Sequence, residues 1–290
     1  LFPMSFTERV INYYFMSYAL TEAPTGSLKV VSLKGGNILN MVPDEAEAVL
    51  EAVDEAGAKK VAEATAKYCA ENGKELTAEV DGKQIKIHSK GLCAHSCTPF
   101  NGKNAIVAIL MFLAEQNLGG SMGRFLDFFK EKIGYTTDGS LMGMARADEC
   151  GKLTFSLSKM EIDESMLKWV VNIRLPFTYK DEVTADWKAQ VESVGIKIVD
   201  MDLHKSYRFP LDHPLITTLR TVYEELTGKG VSECSADIRR RVEMAQQIQQ
   251  TRYRQEAFHF NAQLPASLLE RYCSLTREGE AKMRDVYVRK

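Results

Sequence analysis

The sequence predicts an α+β fold: a sheet with helices on one face, followed by a separate helical segment. Three observations carry this. Between Leu28 and Leu203, short runs of β-forming residues interleave with stretches whose apolar residues recur at helical spacing. An Asp81-Gly82 pair between two alternating runs marks a hairpin, so part of the sheet is antiparallel. After Val231 the composition changes: the last 60 residues hold six glutamines against three in the 230 before them, and glycine falls to Gly279 alone.

"SLKVVSL" at Ser27 is rich in β formers and reads as a strand, and "GGN" at Gly35 as the turn after it. "AEAVLEAV" at Ala46 is short and apolar, so helix and strand stay open. In "GAKKVAEATAKYCAENG", Val61, Ala62, Thr65, Ala66 and Cys69 fall on one helical stripe, which Asn72-Gly73 ends. "LTAEVDGKQIKIHSKG" is the hairpin. "GKNAIVAILMFLAEQN" predicts a buried helix, and "SMGRFLDFFKEKIG" a second with Phe125, Phe128, Phe129 and Ile133 on one stripe. "GKLTFSLSKMEID" and "LKWVVNIRLPF" alternate as strands. "KDEVTADWKAQVESVG" is an amphipathic helix and "IKIVDMDLH" the last strand. In "FPLDHPLITTLRTVYEELTGKG", Asp212 caps a helix with Pro214 in its first turn and Gly228 at its end. "SADIRRRVEMAQQIQQTRYRQ" reads as helix, with a boundary near Gly230.

The 290 residues suffice for two domains with sizeable cores. Apolar content of 45%, charged content of 26% and a formal charge of −2 are those of a soluble globular protein, and they point to neither nucleic acid nor an anionic membrane as partner. The longest apolar run, Ala105 to Ala114, is too short to cross a bilayer. Glu8 and Arg9 stand where a signal peptide needs an apolar core. Six scattered cysteines in a long chain read as reduced thiols, hence a cytoplasmic protein. Cys93, His95 and Cys97 lack the paired spacing of structural zinc sites, and the five histidines are too dispersed to assemble a metal site. There is no P-loop, no G-x-S-x-G and no H-E-x-x-H, and "GGSMGR" follows no clear strand. Leu1 where a complete chain begins with Met leads us to expect a piece of something longer.

Three polar residues stand in unusual settings. Asn40 precedes Pro43, His95 lies in a loop ahead of a buried helix, and Arg174 interrupts an apolar strand. Each has an ordinary reading too: Asn40 makes a turn, His95 caps the helix or bonds a carbonyl, and Arg174 takes the solvent face opposite Val171, Ile173 and Leu175.

The strings "SLKGGNILNMVPDEAEAV", "KGLCAHSCTPFNGKNAIVAILMFLAE", "VVNIRLPF" and "FPLDHPLITTLRTVYEELTGKG" resemble the M20 metallopeptidases, in particular the bacterial dipeptidase V and carnosinase-like branch. The resemblance covers about residues 1–230. It implies a ferredoxin-like sheet-and-helix lid domain at 28–205, flanked by remnants of a catalytic domain at 1–27 and 206–230, then a helical module at 231–290. It implies hydrolysis of dipeptides or small peptides by two zinc ions bridged by an aspartate and a water, with a glutamate as general base. It gives His95 the stabilisation of the oxyanion, and Asn40 and Arg174 the holding of substrate. The family's zinc ligands fall before "FPMSFTERV" or beyond Gly230, so this chain has no assigned metal ligand and is expected to be inactive alone. The alternative is a non-catalytic module for peptide capture or for pairing as a homodimer. The tail, through "IRRRV", "AQQIQQTRY", "NAQLP" and "RYCSLTREGE", resembles the C-terminal region of magnesium-chelatase-like AAA+ proteins. Two unrelated partial domains then meet near Gly230, as in a fusion of gene fragments. Apolar faces left bare by truncation imply poor solubility or a partner.

Overall fold

A computed structural model of the chain describes residues 6–7, 10–116, 118–148, 151–176, 178, 182–203 and five positions between 208 and 225. Residues 7–206 form one compact unit, and residues 1–6 with 207–290 group apart from it. The helix expected at 209–230 and the helical tail at 231–290 lie outside the described residues.

The architecture of residues 7–206 is mixed α and β, built on one large antiparallel sheet. Its strands are β1 (Val10–Ala19), β2 (Leu28–Gly35), β3 (Glu45–Ala52), β4 (Glu75–Asp81), β5 (Gln84–Lys90), β6 (Thr154–Ile162), β7 (Met166–Leu175) and β8 (Lys197–Leu203). They stand in the order β8-β1-β7-β6-β2-β3-β5-β4. The helices are α1 (Glu55–Asn72), α2 (Ala105–Leu113), α3 (Gly120–Lys132) and α4 (Glu182–Ser193).

The order contains one topology twice. β3, α1 and β4 form a β-α-β crossover with β5 inserted between its strands. β7, α4 and β8 form another with β1 inserted. β2 and β6 join the two at the centre. These are split β-α-β units. The boundary expected after residue 27 does not coincide with an edge of the sheet, because β1 bonds to both β7 and β8.

Register shows why all four helices share one face. Residues directly opposite in an antiparallel ladder project to the same side. Trp169 pairs with Met160, Met160 with Gly35, and Gly35 with Ala46. Trp169 meets Phe125 of α3 edge-on at 5.3 Å, and Tyr14, on the same side, meets Trp187 of α4 at 4.6 Å. A Cβ on Gly35 would fall 2.6 Å from Ile106 of α2. Eight of the nine residues of α2 are buried, so it is the core's central helix. The opposite face carries Glu161, Lys34, Glu47 and His88 in register across four strands and is polar.

"AEAVLEAV" resolves as strand: Ala46, Ala48, Leu50 and Ala52 are buried, with the glutamates between them outward. The hairpin turn sits one residue beyond its expected place. Asp81 pairs with Gln84, so Gly82 and Lys83 are the central residues, and Gly82 takes φ +59. A positive φ there favours glycine, and such turns match the twist of the strands.

Candidate functional site

The two loops that carry the resemblance are zipped together. A short strand Met41–Val42 pairs with Ala94–His95, Met41 opposite His95. The Ser96 amide donates to the Asn40 carbonyl at 2.8 Å, Gly91 N–H to Asp44 at 2.7 Å, and Ala105 N–H to Pro43 at 2.9 Å. Leu92 and Lys103 bridge the second loop to itself. Gly91 is required there, because a Cβ on it would overlap the Lys103 carbonyl oxygen. Asn104 ends the loop as the cap of α2, accepting from Ile106 at 3.1 Å and Val107 at 3.2 Å. The cap is therefore Asn104 and not His95.

This zipping sets Asn40 and His95 side by side. The Asn40 carboxamide lies 3.5 Å from His95 Nε2. Asn40 also sits in the turn that Met41 N–H closes on Ile38. On the other side of the ring, Nδ1 accepts from the Cys97 amide at 3.2 Å and lies 2.7 Å from Cys97 Sγ. An Nδ1 that accepts leaves the ring proton on Nε2. Both ring nitrogens of His95 thus have neighbours, Asn40 at Nε2 and Cys97 at Nδ1. Cys93, close by, is exposed, and partial burial with the Asp44 charge pushes its thiol pKa up.

Arg174 is the third expected residue, and parity places it correctly, opposite Val171, Ile173 and Leu175. That side is not solvent at this point: Arg174 is 7% exposed. Its Nε donates to Asn172 Oδ1 at 2.9 Å. Among the described residues it makes no ion pair. A guanidinium holds five N–H donors, of which Nε is the one engaged among the described residues. Asn172 is fully buried and its Nδ2 lacks a hydrogen-bond partner. Tyr13, opposite Asn172 on β1, has its phenol pKa raised by burial, with Arg174 and Asn172 opposing and Asp202 adding to the rise.

The loop and the arginine meet through Thr154. The Thr154 hydroxyl donates to the Ser96 carbonyl at 2.8 Å, and Thr154 is the register partner of Arg174. The loop thus passes the edge of β6 and reaches the polar face to which Arg174 points. Ser96, next to His95, is fully buried, and its hydroxyl has no hydrogen-bond partner. The sequence reading missed Thr154, Asn172 and Tyr13. Asn172 had a signal, since two residues from Arg174 on a strand is the same face.

Against known proteins, several relatives match over about 200 residues. "Putative dipeptidase YtjP" of Bacillus subtilis is 29% identical over 203 residues, 69% of this chain and 42% of that protein. A "Putative dipeptidase" of Staphylococcus epidermidis is 25% identical over 203 residues, 69% of this chain and 43% of that protein. "Putative dipeptidase SSP1012" of Staphylococcus saprophyticus is 28% identical over 201 residues, 68% and 42%. The chain therefore spans under half the length of the curated relatives it matches. Residues 232–290 match the family described as "Magnesium chelatase, subunit ChlI C-terminal". Among solved structures, the aminoacylhistidine dipeptidase of Vibrio alginolyticus aligns with 78% of this chain and 50% of its own, at 10% identity and a TM-score of 0.34. The chain is thus similar to proteins named putative dipeptidases over about 200 residues, and to the magnesium chelatase subunit ChlI C-terminal family over residues 232–290.

The described residues do not fit the zinc pair that the resemblance implies. Among them no three His, Cys, Asp or Glu side chains gather as a metal would need. No helix among them is long and apolar enough to cross a membrane.

Proposed function

We propose that this chain carries the substrate-holding part of a hydrolase acting on dipeptides or other small peptides. One observation supports it above the rest: the loop that holds the Asn40–His95 pair is tied, from Ser96 to Thr154, to the register partner of Arg174. Arg174 takes the peptide's terminal carboxylate, with Asn172 fixing the plane of the guanidinium. Asn40 orients His95. The Nε2–H of His95 donates to the oxygen that becomes an oxyanion when the peptide carbonyl turns tetrahedral, a contribution of about 3 kcal/mol for one such donor. Residues 28–205, with β1 in the same sheet, act as the lid of that enzyme, and residues 206–230 as part of its catalytic domain. A zinc-activated water would serve as nucleophile. The described residues gather no three side chains that could hold that metal, and hydrolysis by this chain alone is not expected.

A second reading, peptide capture without catalysis by a single chain or a homodimer, is favoured by the lack of a three-ligand group among the described residues. Metal content after zinc loading, dipeptide turnover and binding of a phosphinate dipeptide separate the two. The first reading expects the tetrahedral phosphinate to bind more tightly than the dipeptide, and His95→Ala to remove the difference. Capture alone gives equal affinities, both insensitive to His95. Absence of any dipeptide binding overturns both.

A further inference from the structure

On the helix side of the loops, away from Asn40, His95 and Arg174, lies a cavity of about 320 Å³. It is bounded by the end of α1, the end of β5, the 99–104 loop, the first turn of α2, the segment after α3 and the start of β6. The volume is at the lower end for small-molecule sites. Its apolar lining includes Val107, Ile133 and Phe155, with two aromatic side chains, Phe100 and Tyr135, that stay 64% and 42% exposed.

Its charged lining is one-sided. Lys74, Lys90 and Lys103 line it against a single acid, Glu75. None of the three lysines makes an ion pair among the described residues. Lys74 Nζ stands 3.9 Å over the Tyr135 ring, which the Tyr68 hydroxyl holds at 2.7 Å through the Tyr135 hydroxyl. Burial, and after it the Lys103 charge, lower the Lys74 pKa, so the two ammonium groups repel. Three separate elements thus bring positive charge to one apolar hollow, where lysines outnumber acids three to one in the lining, with Glu45 and Glu75 flanking Lys90 on the sheet.

We propose that this cavity binds a small phosphate monoester with an aromatic or apolar body. A surplus of two positive charges suits a dianion. Lysines act as point charges for phosphate, whereas a planar carboxylate calls for the arginine fork that this lining lacks. The apolar floor takes the body, and Phe100 and Tyr135 flank it by ring contact. The site is independent of the peptide reading, since it shares none of those three residues.

The test is titration of the full chain with phenyl phosphate, followed by calorimetry and amide NMR. Inorganic phosphate and benzyl alcohol serve as the two half-ligands. Saturable binding of phenyl phosphate is expected, with shifts at Lys74, Lys103 and Thr136. The double variant Lys74→Gln/Lys103→Gln should weaken it by at least about tenfold, with circular dichroism showing an unchanged fold. Both half-ligands should bind at least about tenfold more weakly. The proposal is overturned if phenyl phosphate does not saturate, if the double variant binds it equally, or if inorganic phosphate alone binds as well. That last result would make the site a surface anion contact with no use for the hollow.

Discussion

Replacing Asn104 with alanine removes three hydrogen bonds at the junction of α2, the His95 loop and β6. The side-chain oxygen accepts from the Ile106 and Val107 amides, and Nδ2 donates to the Leu157 carbonyl at 2.7 Å. Losing a helix cap costs about 1 kcal/mol, and up to about 2 where the amides are sheltered from water. Here α2 is almost wholly buried. Leaving the Leu157 carbonyl without its donor adds about 1–2 kcal/mol. The sum for Asn104→Ala is about 2–4 kcal/mol. Asn104→Asp keeps both accepted bonds and a favourable charge at a helix start, and loses only the donated one. It should cost clearly less. Urea unfolding followed by tryptophan fluorescence measures this well, because both tryptophans, Trp169 and Trp187, are buried within residues 7–206. A loss under about 0.5 kcal/mol for Asn104→Ala, or an equal loss for the two variants, would refute the reasoning.

Three further outcomes follow from the same geometry. Tyr13, Tyr68 and Tyr135 all have phenol pKa values raised by burial. The neutral phenol is favoured in the folded state, so their stability contribution is complete below about pH 10 and is lost as pH rises above it. Tyr135→Phe should flatten that alkaline loss in thermal melts, and an unchanged pH profile would count against it. Gly91→Ala forces the second loop open at Lys103, and should cost about 1–3 kcal/mol while broadening the His95 ring signals in NMR. Trp187→Ala empties a fully buried site beside Tyr14 and should cost about 3–5 kcal/mol in urea unfolding.

How much of this was legible in the sequence depends on the range of the forces involved. The helices α1 and α3 were readable because apolar spacing and a terminal Gly73 are local signals. β1 was missed. In "VINYYFMSYA" the residues of both faces are large and apolar, since Tyr13 and Phe15 are themselves half-buried, so no alternation marks it. "AEAVLEAV" was ambiguous because alanine favours helix, and pairing with β2 and β5 decides for strand. The parity of Arg174 was readable but its burial was not, because burial depends on packing between segments far apart in sequence, such as the bond from its register partner Thr154 to Ser96, 58 residues earlier. The Asn40–His95 contact spans 55 residues and rests on two-residue strands that leave no pattern. The lysines of the cavity come from three elements that only the folded chain brings together.

The most direct measurement for the central claim is a titration of the full chain with alanyl-alanine, observed through the Asn40 side-chain amide, the His95 ring and the Arg174 Nε–H in NMR. The account expects all three signals to shift with one saturation curve, and Arg174→Met to abolish the shifts at Asn40 and His95 while both tryptophans keep their fluorescence. Shifts at none of the three, or at His95 and Asn40 undiminished in Arg174→Met, would contradict it.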